Sequence, residues 1–512
     1  MPRWKKSSST IEFTSFRPRP ASITITLMKI ASLFLVLCAA LPLNAQTLQV
    51  TPQTREALIR LGGQLILDGK AYEYDRQLAD EIGPRLTGSD NYVKAAEYAK
   101  GEFTRLGLNN VHFESWTIPA TWEPDGVGEA RMIKPHQQRL HMESEGWSQS
   151  TNGEIRGELF HLKAATVEAV KADASKIKDH IVFIDGETMR NSPQQFGKLF
   201  DGLMALTQAG TKALILGFGT TNDAPSYIGL TNFDGSLFPL PAGNLGEEDT
   251  LLLGRLLKEG PVEVEFNFKN KIRQGVPVNN VVAEIPGTDP SSGFIVIGGH
   301  LDSWHPGTGA QDNGTGASSV LAIAQAIQAA GLKPRRTIRF ILFGGEEEGL
   351  IGSIHYARDH AAEMDKCAGV FVTDSGSEPP KGWYTFGRAD VKDSLALLSP
   401  LLASLGAAGT TDEGALTFET DEAPFLIHGV PSLVLWTPMD KYWGLHHKPS
   451  DTFDKVVQRD LNLGVAVVGV TAYAFADAPN RLKQLGNSEM EDELKGIKAL
   501  DEYKDMNDHK LF

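Results

Sequence analysis

A chain of 512 residues is long enough for two or three domains with substantial cores. Its formal charge of −15 excludes a general nucleic-acid binder, which needs a basic surface. Hydrophobic residues at 41% and charged residues at 22% are ordinary for a soluble globular protein, so most of the acidity reads as solvated surface.

Residues 1–27 are a polar extension containing Arg, Pro and Ser. Residues 28–45, MKIASLFLVLCAALPLNA, carry one Lys, an apolar run over 30–41 and a small residue at Ala45. That is the layout of a secretory signal peptide, with Met28 as its start, and it is too short for a membrane span. Without it Cys367 is the only cysteine, which rules out an intrachain disulfide and a cysteine-based zinc knuckle. No later apolar run approaches the roughly 18 residues of a spanning helix. A soluble, secreted or periplasmic protein is expected, with no membrane contact after signal cleavage.

The part from 47 to 122 opens with helical spacing over 48–70 and 91–106. Between these lies the turn sequence GPRLTGS, and residues 111–116 alternate like a strand. From 123 to 275 short β-like runs recur at 157–162, 180–184, 213–217 and 262–268, separated by helix-like stretches and a Gly/Pro/Asn-rich loop over 220–246. No catalytic combination stands out there, so this reads as an inserted accessory domain. From 276 to 480 the β/α alternation resumes, with strands at 294–297, 337–343, 368–373 and 431–436 and helices near 316–330, 352–362, 391–405 and 459–476. Residues 481–512 are charged and polar, the composition of a loose tail.

The chemistry gathers at the ends of those later strands. His300 and Asp302 follow the first and Asp312 lies in the next Gly-rich loop. Glu346 and Glu347 follow the second strand, Asp374 the third, and His446 and His447 the fourth. In α/β sheets functional groups collect beyond the carboxyl ends of the strands. Each residue alone has a plain reading: a packed histidine, a turn aspartate, a solvated acidic turn or a helix cap. Together, His300, Asp312, Glu347, Asp374 and His447 form an N/O donor set suited to zinc, with no sulfur. Holding two dications roughly 3.5–4 Å apart needs a bridging carboxylate, and Asp312, between two ligand-bearing strands, is best placed. Asp302 can accept the spare ring N–H of His300 and fix its tautomer. Glu346 and Glu347 are neighbours on an extended segment and point apart, so one can ligate metal while the other serves as general base.

The motifs HLDSW, DNGTG, GGEEEGLIGS, VTDSG and HHKPSDT resemble, in order, the five ligand motifs of the M28 family of zinc peptidases. Within that family GPRLTGS, LKPRRTIRF and DKYWGLHHKPSDT are similar to the carboxypeptidase Q group, and the likeness spans about residues 50–480. It implies an α/β fold of the phosphorylase/hydrolase-like type: a three-layer α/β/α arrangement on a mixed sheet, with a protease-associated-type domain inserted before the HLD strand. It also implies two zinc ions per chain, one on His300, Asp312 and Asp374 and the other on Asp312, Glu347 and His447. Glu346 then becomes the catalytic base. Many members carry Tyr before the last ligand, stabilising the oxyanion. Here His446 stands in that place, with Tyr442 as the alternative. Asp421 sits where relatives contact substrate termini, and equally suits a helix cap. The chain departs from its relatives at His305, where they have Asp. The expected substrates are dipeptides or short peptides, and a homodimer is implied. The competing readings are an M28 aminopeptidase and, in another class, a non-catalytic receptor-like ectodomain, which should lack several ligands. An M20-type amidohydrolase is disfavoured because its extra domain follows the Glu pair.

Overall fold

The computed structural model describes residues 47–217, 224–231, 233–412 and 418–508. The extension and signal peptide expected before residue 46 lie outside these residues. No helix among the described residues is long and apolar enough to cross a membrane.

Among the described residues the first sheet has eight strands. Their spatial order is Asn109–Pro124, Asn270–Ile285, Thr337–Phe343, Phe294–His300, Cys367–Val372, Ser432–Trp436, Gly382–Tyr384 and Gly409–Thr411. The four strands from Thr337–Phe343 to Ser432–Trp436 run parallel, and antiparallel strands flank them. Every residue of Phe294–His300 and Cys367–Val372 is buried, which is why these strands read as continuous apolar runs. Alternate residues still serve opposite faces. Ile295 and Ile297 join the core beneath the helices Pro52–Leu67, Asp90–Arg105, Thr315–Ala329 and Gln458–Asp477. Phe294 and Val296 pack on the other side with Tyr356, Phe425, Met490 and Leu494. The result is the expected mixed sheet between two helical layers.

Local sequence sets the helix starts. Thr51 accepts a hydrogen bond from the Thr54 N–H ahead of Pro52–Leu67, and Ser89 does the same for Tyr92 ahead of Asp90–Arg105. Parallel strands with crossover helices aim all their carboxyl ends at one edge of the sheet.

Two 16-residue strands, Asn109–Pro124 and Asn270–Ile285, form an antiparallel ribbon that leads to a second sheet and back. Of the first, 111–116 was the part visible from alternation; the remainder is set by pairing with residues about 160 positions away. The second sheet also has eight strands, drawn from residues between Glu129 and Asn267, with a separate apolar cluster on each face. It includes a strand, Ala242–Leu245, within the stretch that reads as loop. The segment expected to be loose after residue 480 instead forms the helices Asn487–Gly496 and Leu500–Asp508. Met490, Leu494 and Met506 are buried, and these few apolar anchors hold an otherwise charged segment.

Candidate metal centre

Three segments hold the loop that carries Asp312. The guanidinium of Arg85, fully buried, donates from Nε to the Leu301 carbonyl at 2.9 Å, from Nη1 to Thr308 at 2.8 Å and from Nη2 to Gly309 at 2.9 Å. Asp451 accepts from the N–H groups of Gln311 at 2.7 Å and Asp312 at 3.0 Å. The Asn313 amide donates to the Thr373 carbonyl at 2.8 Å and so joins this loop to the strand end at Asp374.

Around Asp312 the expected donors converge. His300 Nε2 lies 3.2 Å from Asp312 Oδ1 and 3.5 Å from Asp374 Oδ1. On the other side His447 Nε2 lies 3.3 Å from Asp312 Oδ2 and 3.0 Å from Glu347 Oε2. Asp312 thus faces both imidazoles, one through each oxygen. Glu346 Oε2 is 3.8 Å from His300 Nε2. Ligand atoms of His300, Asp312 and Asp374 fall within 4.8 Å of one another, as do those of Asp312, His446 and His447.

The ring of His300 is oriented from behind. Its Nδ1 is 3.1 Å from the Asp302 main-chain carbonyl and 3.6 Å from that residue's Oδ1, so the carbonyl is the nearer partner and not the expected carboxylate. The Asp302 carboxylate instead accepts from Thr87 Oγ1 at 2.8 Å and from the Glu347 N–H at 3.2 Å, tying the two acidic strand ends together. His447 has a left-handed backbone, φ 58°, and its Nδ1 is 2.6 Å from the Tyr227 carbonyl of the inserted domain. The Tyr227 N–H donates back to the His447 carbonyl at 3.0 Å. His446 stacks on His447 with ring centres 3.6 Å apart, and its Nε2 is 3.5 Å from Asp312 Oδ2. Tyr442 donates its hydroxyl to Asp374 at 3.3 Å.

Burial dominates the electrostatics. It pushes Glu346 well above the ordinary carboxylate range; His300 opposes the shift and Asp374 adds to it. Burial, with Asp312 alongside, raises Glu347 to about 7. His447 is pushed up to about 10, because Glu347 and Asp312 outweigh the burial that opposes its charge. Burial beside His447 drops His446 to about 3, which keeps that imidazole neutral. The cluster crowds carboxylates around two imidazoles and draws in positive charge. His300 Nε2, Asp312 Oδ2 and Glu347 Oε1 are buried without a hydrogen-bond partner among the described residues. A cation shared by these atoms would supply the missing partner, so the donors fit a metal in position and in chemistry.

The model of peptidase family M28 matches residues 280–468, the span that contains every one of these donors. Carboxypeptidase Q of Rattus norvegicus is 30% identical over 439 residues, 83% of this chain and 89% of that protein. The chain belongs to peptidase family M28. The crystal structure of an M28 peptidase precursor from Shewanella amazonensis is 26% identical, with a TM-score of 0.74 over 85% of this chain and 99% of that one. An aminopeptidase from an Aneurinibacillus strain, 21% identical with a TM-score of 0.61 over 83% of this chain and 98% of that one, shares the fold.

Besides the Asp302 carboxylate, a second sequence expectation for this M28 site does not match the geometry. Asp421 is 0% exposed, and burial raises its carboxyl to about 7. It is not among the residues that line the cavity beside the ligand cluster. It precedes the short helix Ala423–Leu426 without capping it. Sequence reasoning missed Tyr227, Arg85 and Asp451. GPRLTGS and the Asp of HHKPSDT mark the last two, but nothing local distinguishes Tyr227.

Proposed function

We propose that this M28 peptidase is an extracytoplasmic exopeptidase that uses two zinc ions to hydrolyse dipeptides and short peptides. The observation that carries this reading is Asp312, whose two carboxylate oxygens face two separate imidazoles, His300 at 3.2 Å and His447 at 3.3 Å. His300, Asp312 and Asp374 would hold one ion, and Asp312, Glu347 and His447 the other. Zinc bound there would supply Lewis acidity, stabilising charge on the scissile carbonyl oxygen and making water a stronger acid. Glu346 takes the proton of the attacking water and returns it to the leaving amine; its burial gives the carboxylate the proton affinity that this task needs. His446, neutral, donates to the oxyanion of the tetrahedral intermediate. Tyr442, bonded to Asp374, positions that ligand. Arg85, Asp451 and Thr87 hold the loops so that these groups need not reorganise during the reaction. A receptor-like role is disfavoured because none of the five expected ligands is missing. The layout of residues 28–45 supports export, to the periplasm or the medium.

The test is metal analysis joined to turnover. Purified protein should carry close to two zinc per chain, cleave unblocked dipeptides, lose activity to a chelator and regain it with zinc. Protein that binds no zinc, or binds it without cleaving any short peptide, would overturn this reading.

A further inference from the structure

A cavity of about 550 Å³ opens beside the metal-ligand cluster, with Asp312, Glu346 and His447 among its lining. One of its walls comes from the C-terminal helices Asn487–Gly496 and Leu500–Asp508, through Ile497, Lys498, Glu502 and Met506. That wall is fixed at both ends. Met490 and Leu494 are buried in the core under the first sheet, with Phe418 and Phe425. At the far end Asp505, 2% exposed, accepts from the Gly197 N–H at 2.9 Å, and Glu502 accepts from the Phe196 N–H at 3.5 Å. These carboxylates cap the inserted-domain helix Phe196–Gln208, whose own N-cap residue, Gln195, supplies no side-chain bond. The C-terminal helices therefore brace the catalytic sheet against the inserted domain alongside the cavity.

The turn between the two helices presents Lys498, with a left-handed backbone at φ 65°. Its side chain is exposed and forms no ion pair with any described residue. It is the only Lys or Arg among the described residues that line the cavity. The same lining includes the apolar Phe196, Phe233, Phe418 and Ile497 and the carboxylates Glu419 and Glu502, which repel an anion. An anionic group entering such a site is costly unless a cation meets it. Beyond whatever the ligand cluster holds, Lys498 is that cation. A peptide extending along the cavity towards that wall meets the C-terminal helices.

Resting on the exopeptidase reading, we propose that the C-terminal helices are the specificity wall of this peptidase: they restrict it to short peptides, and Lys498 receives the free α-carboxylate at the substrate's C-terminus.

The test uses the zinc-loaded full-length chain with four substrates: a dipeptide, its C-terminal amide, its N-acetyl form, and a pentapeptide of related sequence. The parent should favour the free acid over the amide by about tenfold or more in kcat/KM. Lys498→Ala should collapse that ratio towards one, chiefly through KM, with zinc content unchanged, and Lys498→Arg should restore it. Asp505→Ala, which frees the far end of the wall, should raise pentapeptide over dipeptide cleavage by about tenfold. Equal cleavage of acid and amide by the parent would overturn the proposal. So would a ratio that Lys498→Ala leaves in place, or a length preference indifferent to Asp505→Ala. Zinc-loaded parent that cleaves none of the four substrates would instead overturn the exopeptidase reading beneath it.

Discussion

Asp312 can face two imidazoles because its own backbone is held by Asp451, and the side chains around it divide into those that hold and those that react. Glu346 and His446 belong to the second group. Glu346→Gln keeps the shape and removes the base, so the variant should retain zinc and lose about 10²–10⁴ in kcat. His446→Gln should also retain zinc, with kcat down by about 10²–10³ if the imidazole serves the oxyanion. Zinc analysis beside steady-state kinetics separates the two outcomes for His446, which lies as close to Asp312 as a ligand would. Loss of zinc from His446→Gln would make it a ligand instead, and parent-rate turnover in Glu346→Gln would remove Glu346 from the mechanism. These residues were legible in the sequence because each follows a largely apolar strand, directly or after a short loop, and parallel strands must all end at one edge. Tyr227 was not, since its contribution to His447 is a backbone carbonyl, which any residue type could supply.

At the level of elements, the helix Thr315–Ala329 shows why loop and strand end cannot be varied independently. Gly316 sits in its first turn, and a Cβ there would lie 2.2 Å from both the Thr373 carbonyl and Asn313 Oδ1. Two effects compete in Gly316→Ala. Helix propensity favours alanine by about 1 kcal/mol. Overpacking a rigid site costs about 1–3 kcal/mol, and here one of the clashing atoms is backbone and the other already accepts the Gly316 N–H at 2.8 Å. Overpacking should win. The variant should melt lower than the parent, and because Asn313 and Thr373 flank Asp312 and Asp374, zinc affinity should fall by about 10–100-fold. A melting temperature above the parent's, with zinc affinity intact, would show that the segment yields more easily than its contacts imply. The DNGTG motif announced a glycine-rich ligand loop, but half of the need for glycine at 316 comes from a strand end 57 positions later, which no local pattern encodes. The same limit hid the C-terminal helices, whose apolar anchors are too sparse to give a clear helical period.

Across the whole molecule, the inserted domain reads from sequence as chemically silent, and in its own residues it largely is. Its contribution is positional. Trp304, four residues after His300, packs edge-on against Trp147 of that domain at 5.9 Å and stacks on Tyr227 at 6.2 Å. Beneath them the Glu145 carboxylate is fully buried and accepts from the N–H groups of Gly146 at 2.9 Å and Ile228 at 2.8 Å, and from the Asn244 amide at 2.8 Å. Glu145 thereby fixes the segment whose Tyr227 carbonyl orients His447. Glu145→Ala would strand those donors, at about 1–3 kcal/mol for each one left unpaired, and release the segment. The effect on metal should be lopsided. The ion assigned to His447 should weaken by about 10–100-fold, while the ion assigned to His300, whose ring is oriented within the catalytic sheet, should stay. Zinc remaining after dialysis against graded chelator would then fall in two separate steps, measured at a temperature where a melt shows the variant folded. If both ions still leave together as in the parent, the inserted domain does not orient His447 through Glu145.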